Sequence, residues 1–160
     1  MIYRLVGLCL IVLVTGCDPV FMLPGGKLDG DLSAIPNTWA AVDDLKTIQL
    51  ETHPLDPYSV NIWAIAMGTI VYVHAGASRS TWVENMEIDP NVRIRVGGKL
   101  FDLTATRVTS ADEFEDFSDA YEKKYGSRPR NEDVAQAYLF RLEHSGSGAQ
   151  RSRVGAGNRF

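Results

Sequence analysis

Residues 92–107 read Val92-Arg93-Ile94-Arg95-Val96-Gly97-Gly98-Lys99-Leu100-Phe101-Asp102-Leu103-Thr104-Ala105-Thr106-Arg107. Apolar and polar residues alternate on both sides of Gly97-Gly98, the period of a half-buried strand, and the glycine pair suits the positive φ angles of a tight two-residue turn. Folding the arms about that turn sets Val92 opposite Leu103, Ile94 opposite Phe101 and Arg93 opposite Asp102. The two apolar pairs then bury one face, while Arg93 and Asp102 form an exposed cross-strand ion pair worth at most about 1 kcal/mol. An antiparallel hairpin with one buried face needs more sheet beside it.

The chain upstream supplies that sheet. Lys46–Thr52 alternates Ile48 and Leu50 with polar residues and reads as a half-buried strand. His53–Tyr58, with Pro54 and Pro57, breaks it. Val60–Met67 and Thr69–Ala75 flank Gly68 and read as a second hairpin, apolar enough to be covered on both faces. Ala34–Leu45 allows one short helix, with Trp39 and Val42 in the core.

Downstream, Thr109–Tyr125 carries the signs of a helix. Ser110 and Glu113 make a capping box, acids crowd the first turn, Lys123 and Lys124 occupy the last, and Gly126 ends it. Phe114, Phe117, Tyr121 and Tyr125 follow one face, as packing against a sheet requires. Ala137–Glu143 reads as a closing strand after a short helical turn, with a helix over Asn131–Leu142 as the alternative. Strands with one long helix inserted late, and no strand-helix alternation, imply an α+β, mainly β chain built as a small barrel of about six mostly antiparallel strands with two or three short helices.

Composition narrows the function classes. The chain has 160 residues, 16 Lys and Arg against 20 Asp and Glu, and a formal charge of -4. With 45% hydrophobic and 22% charged residues it can bury a core, and one domain is the default. The mild acidity argues against a dedicated nucleic-acid binder, which normally shows clustered cations. Two cysteines can build neither a disulfide scaffold nor a four-thiolate zinc site.

Those cysteines fall at the N-terminus. Arg4 is followed by the uncharged run Leu5–Val14, too short to span a bilayer and suited to a signal peptide's apolar region. The run ends in Val14-Thr15-Gly16-Cys17, which resembles the lipobox of bacterial lipoproteins. The resemblance implies a cleaved signal peptide over 1–16, a diacylglyceryl thioether on Cys17 and a cell-envelope protein held on a membrane by acyl chains. Asp18 resembles the inner-membrane retention signal of enterobacterial lipoproteins. A retained anchor or buried strand is the structural alternative. After cleavage Cys9 is gone and Cys17 is blocked, so no free thiol remains. Residues 17–31, with Pro19, Pro24, Gly25, Gly26 and Gly30, read as the acylated cysteine and a tether, 32–144 as the domain, and 145–160, with Arg151, Arg153 and Arg159, as a disordered basic tail. Those arginines either add roughly 1 kcal/mol each of attraction to anionic lipid or belong to a plain unstructured tail.

Few motifs carry chemistry. His53, His74 and His144 form no metal-ligand pair, and there is no Gly-x-Ser-x-Gly. Between His74 and Val96, a strand runs into a Gly- and Ser-containing loop with Arg79, and then a short helix capped by Ser80 or Thr81 with Glu84 reaching back. A helix N-terminus beside an arginine and two hydroxyls can bind an anion; a plain strand-to-helix connection is the alternative.

That segment, with Trp82, Asn85, Asp89-Pro90, Val92-Arg93-Ile94 and Gly97-Gly98-Lys99, together with Trp63 and Tyr121–Gly126, resembles the split β-barrel flavin-binding proteins. The likeness runs from about Lys46 to Glu143 and is nearest the deazaflavin-dependent nitroreductase-like group. It implies an FMN or deazaflavin cofactor, hydride transfer to a small organic acceptor and a homodimer. Ser78, Arg79 and Ser80 would contact the phosphate, and Trp82 and Asn85 would hold the following helix against the barrel. One stretch departs from the pattern: Glu51–Tyr58, where the family carries a basic loop, has no Lys or Arg and two acids. A cofactor-free binding or scaffold lipoprotein is therefore the competing expectation.

Overall fold

The computed structural model of the chain describes residues 25–131 and 133–144. The segments expected as signal peptide and basic tail, Cys17, and the first part of the tether lie outside them.

The described residues form eight strands and three helices: β1 (Asp31–Leu32), α1 (Ala40–Asp43), β2 (Ile48–Thr52), β3 (Tyr58–Ile62), β4 (Ala64–Met67), β5 (Ile70–His74), α2 (Thr81–Ile88), β6 (Asn91–Val96), β7 (Lys99–Arg107), α3 (Ala111–Tyr125) and β8 (Leu139–Glu143). The strands make one sheet in the order β3-β2-β6-β7-β8-β5-β4, with β1 added beside β7. All pairings are antiparallel except that of β1 with β7.

The β6-β7 hairpin has the register its sequence dictates, pairing Val92 with Leu103, Arg93 with Asp102 and Ile94 with Phe101. Gly97 and Gly98 carry φ of 58° and 80°, as a turn with two positive central angles requires. The apolar run 60–67 differs from expectation. It is two strands, not one: β3 pairs with β2, and β4 pairs with β5. The two are separated by the single residue Trp63 and lie at opposite ends of the sheet order. A one-residue step between the first and last strands forces the sheet to curl until its ends meet, which makes it a split barrel. That division, and the two-residue β1, raise the strand count above six.

Two apolar clusters follow from the curl. Inside it pack Trp39, Val42, Leu50, Val71, Val73, Trp82, Ile94 and Leu142, all buried. Outside it, Ile65, Ile70, Tyr72 and Leu139 meet Phe114 and Phe117 of α3. Successive β5 residues thus alternate between the barrel interior and the helix, and this is why the strand carries so little polar relief. Burying these side chains contributes on the order of 2 kcal/mol each for the larger ones.

Ser110 caps α3, its hydroxyl accepting the Glu113 N–H at 3.4 Å, and Gly126 ends it at φ 81°. Glu113 does not reach back as the capping box predicts. Its carboxylate instead accepts the Tyr72 hydroxyl at 2.9 Å and pairs with Arg141 at 2.9 Å. The last turn of α3 clamps the β3-β4 corner: Tyr125 stacks on Trp63 at 4.5 Å, its hydroxyl accepts the Ala64 N–H at 3.0 Å, and Lys124 Nζ donates to the Val42 and Ala64 carbonyls at 2.7 and 2.8 Å.

Residues 25–31, expected in the tether for their glycines, are docked on the sheet. Gly25 exchanges two backbone hydrogen bonds with Ser59, at 2.7 and 2.8 Å, and Leu28 is buried with its N–H on the Glu51 carboxylate. A side chain at position 25 would meet the Ser59 hydroxyl, so glycine here permits a close approach rather than mobility. Among the described residues no helix is long and apolar enough to cross a membrane.

Candidate functional site

A cleft of about 800 Å³ opens between β3, at one end of the sheet order, and the end of β5. One wall is β3, through Tyr58, Val60, Asn61 and Ile62; the facing wall is the end of β5 and its loop, from His74 to Ser78, with Ser80 just before α2 and Trp82 within it. Tyr121 of α3 and Arg130, Asn131 and Gln136 complete the lining. The volume lies within the roughly 300–1,000 Å³ usual for small-molecule sites, and the pattern of apolar walls with a few polar groups is the usual one.

Of the residues singled out in sequence, Ser78, Ser80 and Trp82 line this cleft, whereas Arg79 and Asn85 are not among its lining residues. Arg79 turns back onto α2, with Nη2 2.7 Å from Glu87 and Nε 3.8 Å from Glu84. The Glu87 hydrogen bond holds its pKa above the ordinary arginine value. Asn85 donates to Thr52 Oγ1 at 3.0 Å and Trp82 packs edge-on against Phe140, so these two side chains seat α2 on the barrel.

Ser80 occupies the N-cap position of α2, yet its hydroxyl makes no capping hydrogen bond, contrary to the sequence expectation. The Ser80 carbonyl accepts from Val83 and Glu84, while Oγ is buried with no hydrogen-bond partner among the described residues. The first amides of α2 therefore keep their positive end without a side-chain cap. Among the described lining residues there is no carboxylate, and Arg130 is the one formal cation. Arg130 was not singled out in sequence, because nothing local in Ser127–Asn131 shows that this loop returns to the end of β5. Two cations, Arg128 and Arg130, follow the helix-ending Gly126, and the sequence does not say which of them faces the cleft.

The acids of Glu51–Tyr58 do not face the cleft, which only Tyr58 of that stretch lines. Glu51 is 2% exposed, with its carboxylate on the Leu28 N–H and 3.8 Å from Arg93 Nη1.

His74 is packed among Phe114, Phe117 and Tyr121, with ring centroids 6.4, 5.6 and 6.4 Å away. Burial pushes its pKa down to about 4, so the imidazole is neutral at physiological pH. Burial raises the Tyr121 pKa, against the opposing pull of Arg130. Among the described residues no group of three or more His, Cys, Asp or Glu side chains is gathered that could hold a metal ion.

Comparison with known proteins agrees with this architecture. The family model described as F420H(2)-dependent quinone reductase matches residues 67–134, a span that contains β5, α2, β6, β7, α3 and the Arg130 loop. No curated protein matches the chain. Among solved structures, a Listeria innocua protein assigned as a pyridoxamine 5'-phosphate oxidase is similar at 14% identity and TM-score 0.52, covering 64% of this chain and 86% of that one. A Bacteroides thetaiotaomicron protein assigned to 5-nitroimidazole antibiotic resistance gives 12% identity and TM-score 0.53, covering 66% of this chain and 76% of its own. General Stress Protein 26 from Bacillus anthracis gives 15% identity and TM-score 0.50, covering 65% and 83%. These likenesses establish the split-barrel fold.

Proposed function

We propose that the cleft holds a flavin-type cofactor, a deazaflavin by preference, and that the protein is a lipid-anchored oxidoreductase of small organic acceptors such as quinones. The observation that carries the reading is the buried Ser80 hydroxyl, without a partner among the described residues, in a cleft whose described lining holds no carboxylate, beside an uncapped helix N-terminus and Arg130. A buried polar atom costs about 1–3 kcal/mol when left unmade, and a ligand oxygen at that point would remove the cost. The matched family model, whose description names the reduced deazaflavin, supports the choice of cofactor.

The residues fit such a group. Ser78, Ser80 and Arg130 would hold its phosphate, and Trp82, Tyr58 and Ile62 would flank its ring. The bound cofactor would supply hydride transfer. The chain would orient it, keep water from the apolar wall and balance the phosphate charge. Because the acids of Glu51–Tyr58 do not line the cleft, a phosphate seated there would not meet their charge directly.

The lipobox Val14–Cys17 supports a diacylglyceryl anchor on Cys17 facing the periplasm or exterior. A membrane-soluble acceptor would then lie close to the barrel. Full-length protein purified in detergent should bind FMN or a deazaflavin with micromolar affinity and oxidise the reduced form when a quinone is added. Colourless protein with no titration by either cofactor would overturn the reading.

A further inference from the structure

We infer that His74 is a specificity-determining hydrogen-bond donor of the cleft, one that selects a ligand presenting a carbonyl oxygen or an unprotonated ring nitrogen. The inference rests on the reading that the cleft takes a planar redox cofactor, and it adds which atom type the barrel recognises.

The tautomer is fixed by the backbone. The Gly76 N–H donates to His74 Nε2 at 3.2 Å, so Nε2 carries the lone pair and Nδ1 carries the hydrogen. Gly76 is held for this by its φ of 60° and by its carbonyl, which accepts the Tyr138 N–H at 2.7 Å. The loop therefore supplies a rigid amide at the one ring nitrogen that must stay unprotonated. The ring plane is fixed by Phe114, Phe117 and Tyr121.

No acceptor for Nδ1 is present among the described residues, while His74 itself lines the cleft. A neutral imidazole with one nitrogen satisfied and one N–H without an acceptor can only donate. It would reward an acceptor atom and reject an amino or ammonium group at the same place. The low pKa caused by burial agrees with this, since protonating Nε2 would break its bond to Gly76. His74 thus differs from the phosphate-side residues, because it would read the ring and not the charge.

The test uses the full chain in detergent, with FMN and riboflavin as probes followed by fluorescence quenching. His74→Phe keeps the ring packing and removes the donor, and should weaken both probes about tenfold, the equivalent of one hydrogen bond. His74→Asn places an amide donor near the position of Nδ1 and should recover most of that loss. Equal affinity of wild type and His74→Phe overturns the inference while leaving the cofactor reading intact; failure of wild type to bind either probe overturns both. Independently of ligand, nitrogen-15 NMR of the histidine ring near neutral pH should show a protonated Nδ1 and an unprotonated Nε2. The opposite tautomer overturns the inference.

Discussion

Arg93 Nη1 lies 3.8 Å from Glu51 Oε1, and the Glu51 side chain is only 3% exposed. Register places them together, since Glu51 of β2, Arg93 of β6 and Asp102 of β7 are direct neighbours across three strands. One guanidinium therefore serves a surface carboxylate, Asp102 at 2.6 Å, and a buried one. These two services should differ in weight. Asp102→Asn should cost under about 1 kcal/mol, whereas Arg93→Met leaves Glu51 with only the Leu28 N–H among the described residues and should cost about 3 kcal/mol. Denaturant midpoints of the two variants check the order, and equal losses would contradict it.

Stability should fall in mild acid through His74. Its pKa is lowered by burial from 6.5 to about 4, so between those values the unfolded chain binds the extra proton. Stability is then fully present above about pH 6.5 and is lost as pH falls toward 4, by up to about 3 kcal/mol. In His74→Phe that component should vanish, which thermal melts at pH 7 and pH 4.5 would show as a smaller difference between the two.

Ser80→Ala should separate stability from binding. Removing a buried hydroxyl that has no partner among the described residues should leave the fold unchanged or up to about 1 kcal/mol more stable, while weakening FMN. A variant that melts lower and binds FMN as well as wild type would show that the hydroxyl has a structural use.

Arg130 and Arg79 make a matched pair of controls. Arg130→Gln should weaken FMN about fivefold or more, and riboflavin, which has no phosphate, much less. Arg79→Ala should change FMN affinity less than about twofold, because Glu87 and Glu84 hold that guanidinium outside the cleft. Titrations of both variants with both flavins decide the assignment.

The hairpin of β6 and β7 was legible because alternation and Gly97-Gly98 act locally. The division of 60–67 at Trp63 was not, because the run is apolar throughout and the corner is made by Tyr121 and Tyr125, which sit far along the chain. The capping box illustrates the same limit. Ser110 caps α3, but Glu113 is drawn away by Tyr72 and Arg141, two strand residues whose approach depends on tertiary packing. In the cleft, the Gly- and Ser-containing loop pointed to Ser78, Ser80 and Trp82. His74 belongs to no motif in the sequence, and Arg130 enters through a loop whose return toward β5 no local pattern encodes.

The paired bonds between Gly25 and Ser59 have one more consequence. Because Ser59 spends its amide and carbonyl on Gly25, strand parity turns the same groups of Asn61, two residues on, away from β2. An unpaired strand edge normally invites another chain to add itself. Among the described residues Asn61 has no strand on that side and lines the cleft, so it offers a short donor-acceptor ruler there, and a molecule seated on it would extend the sheet in place of a further strand.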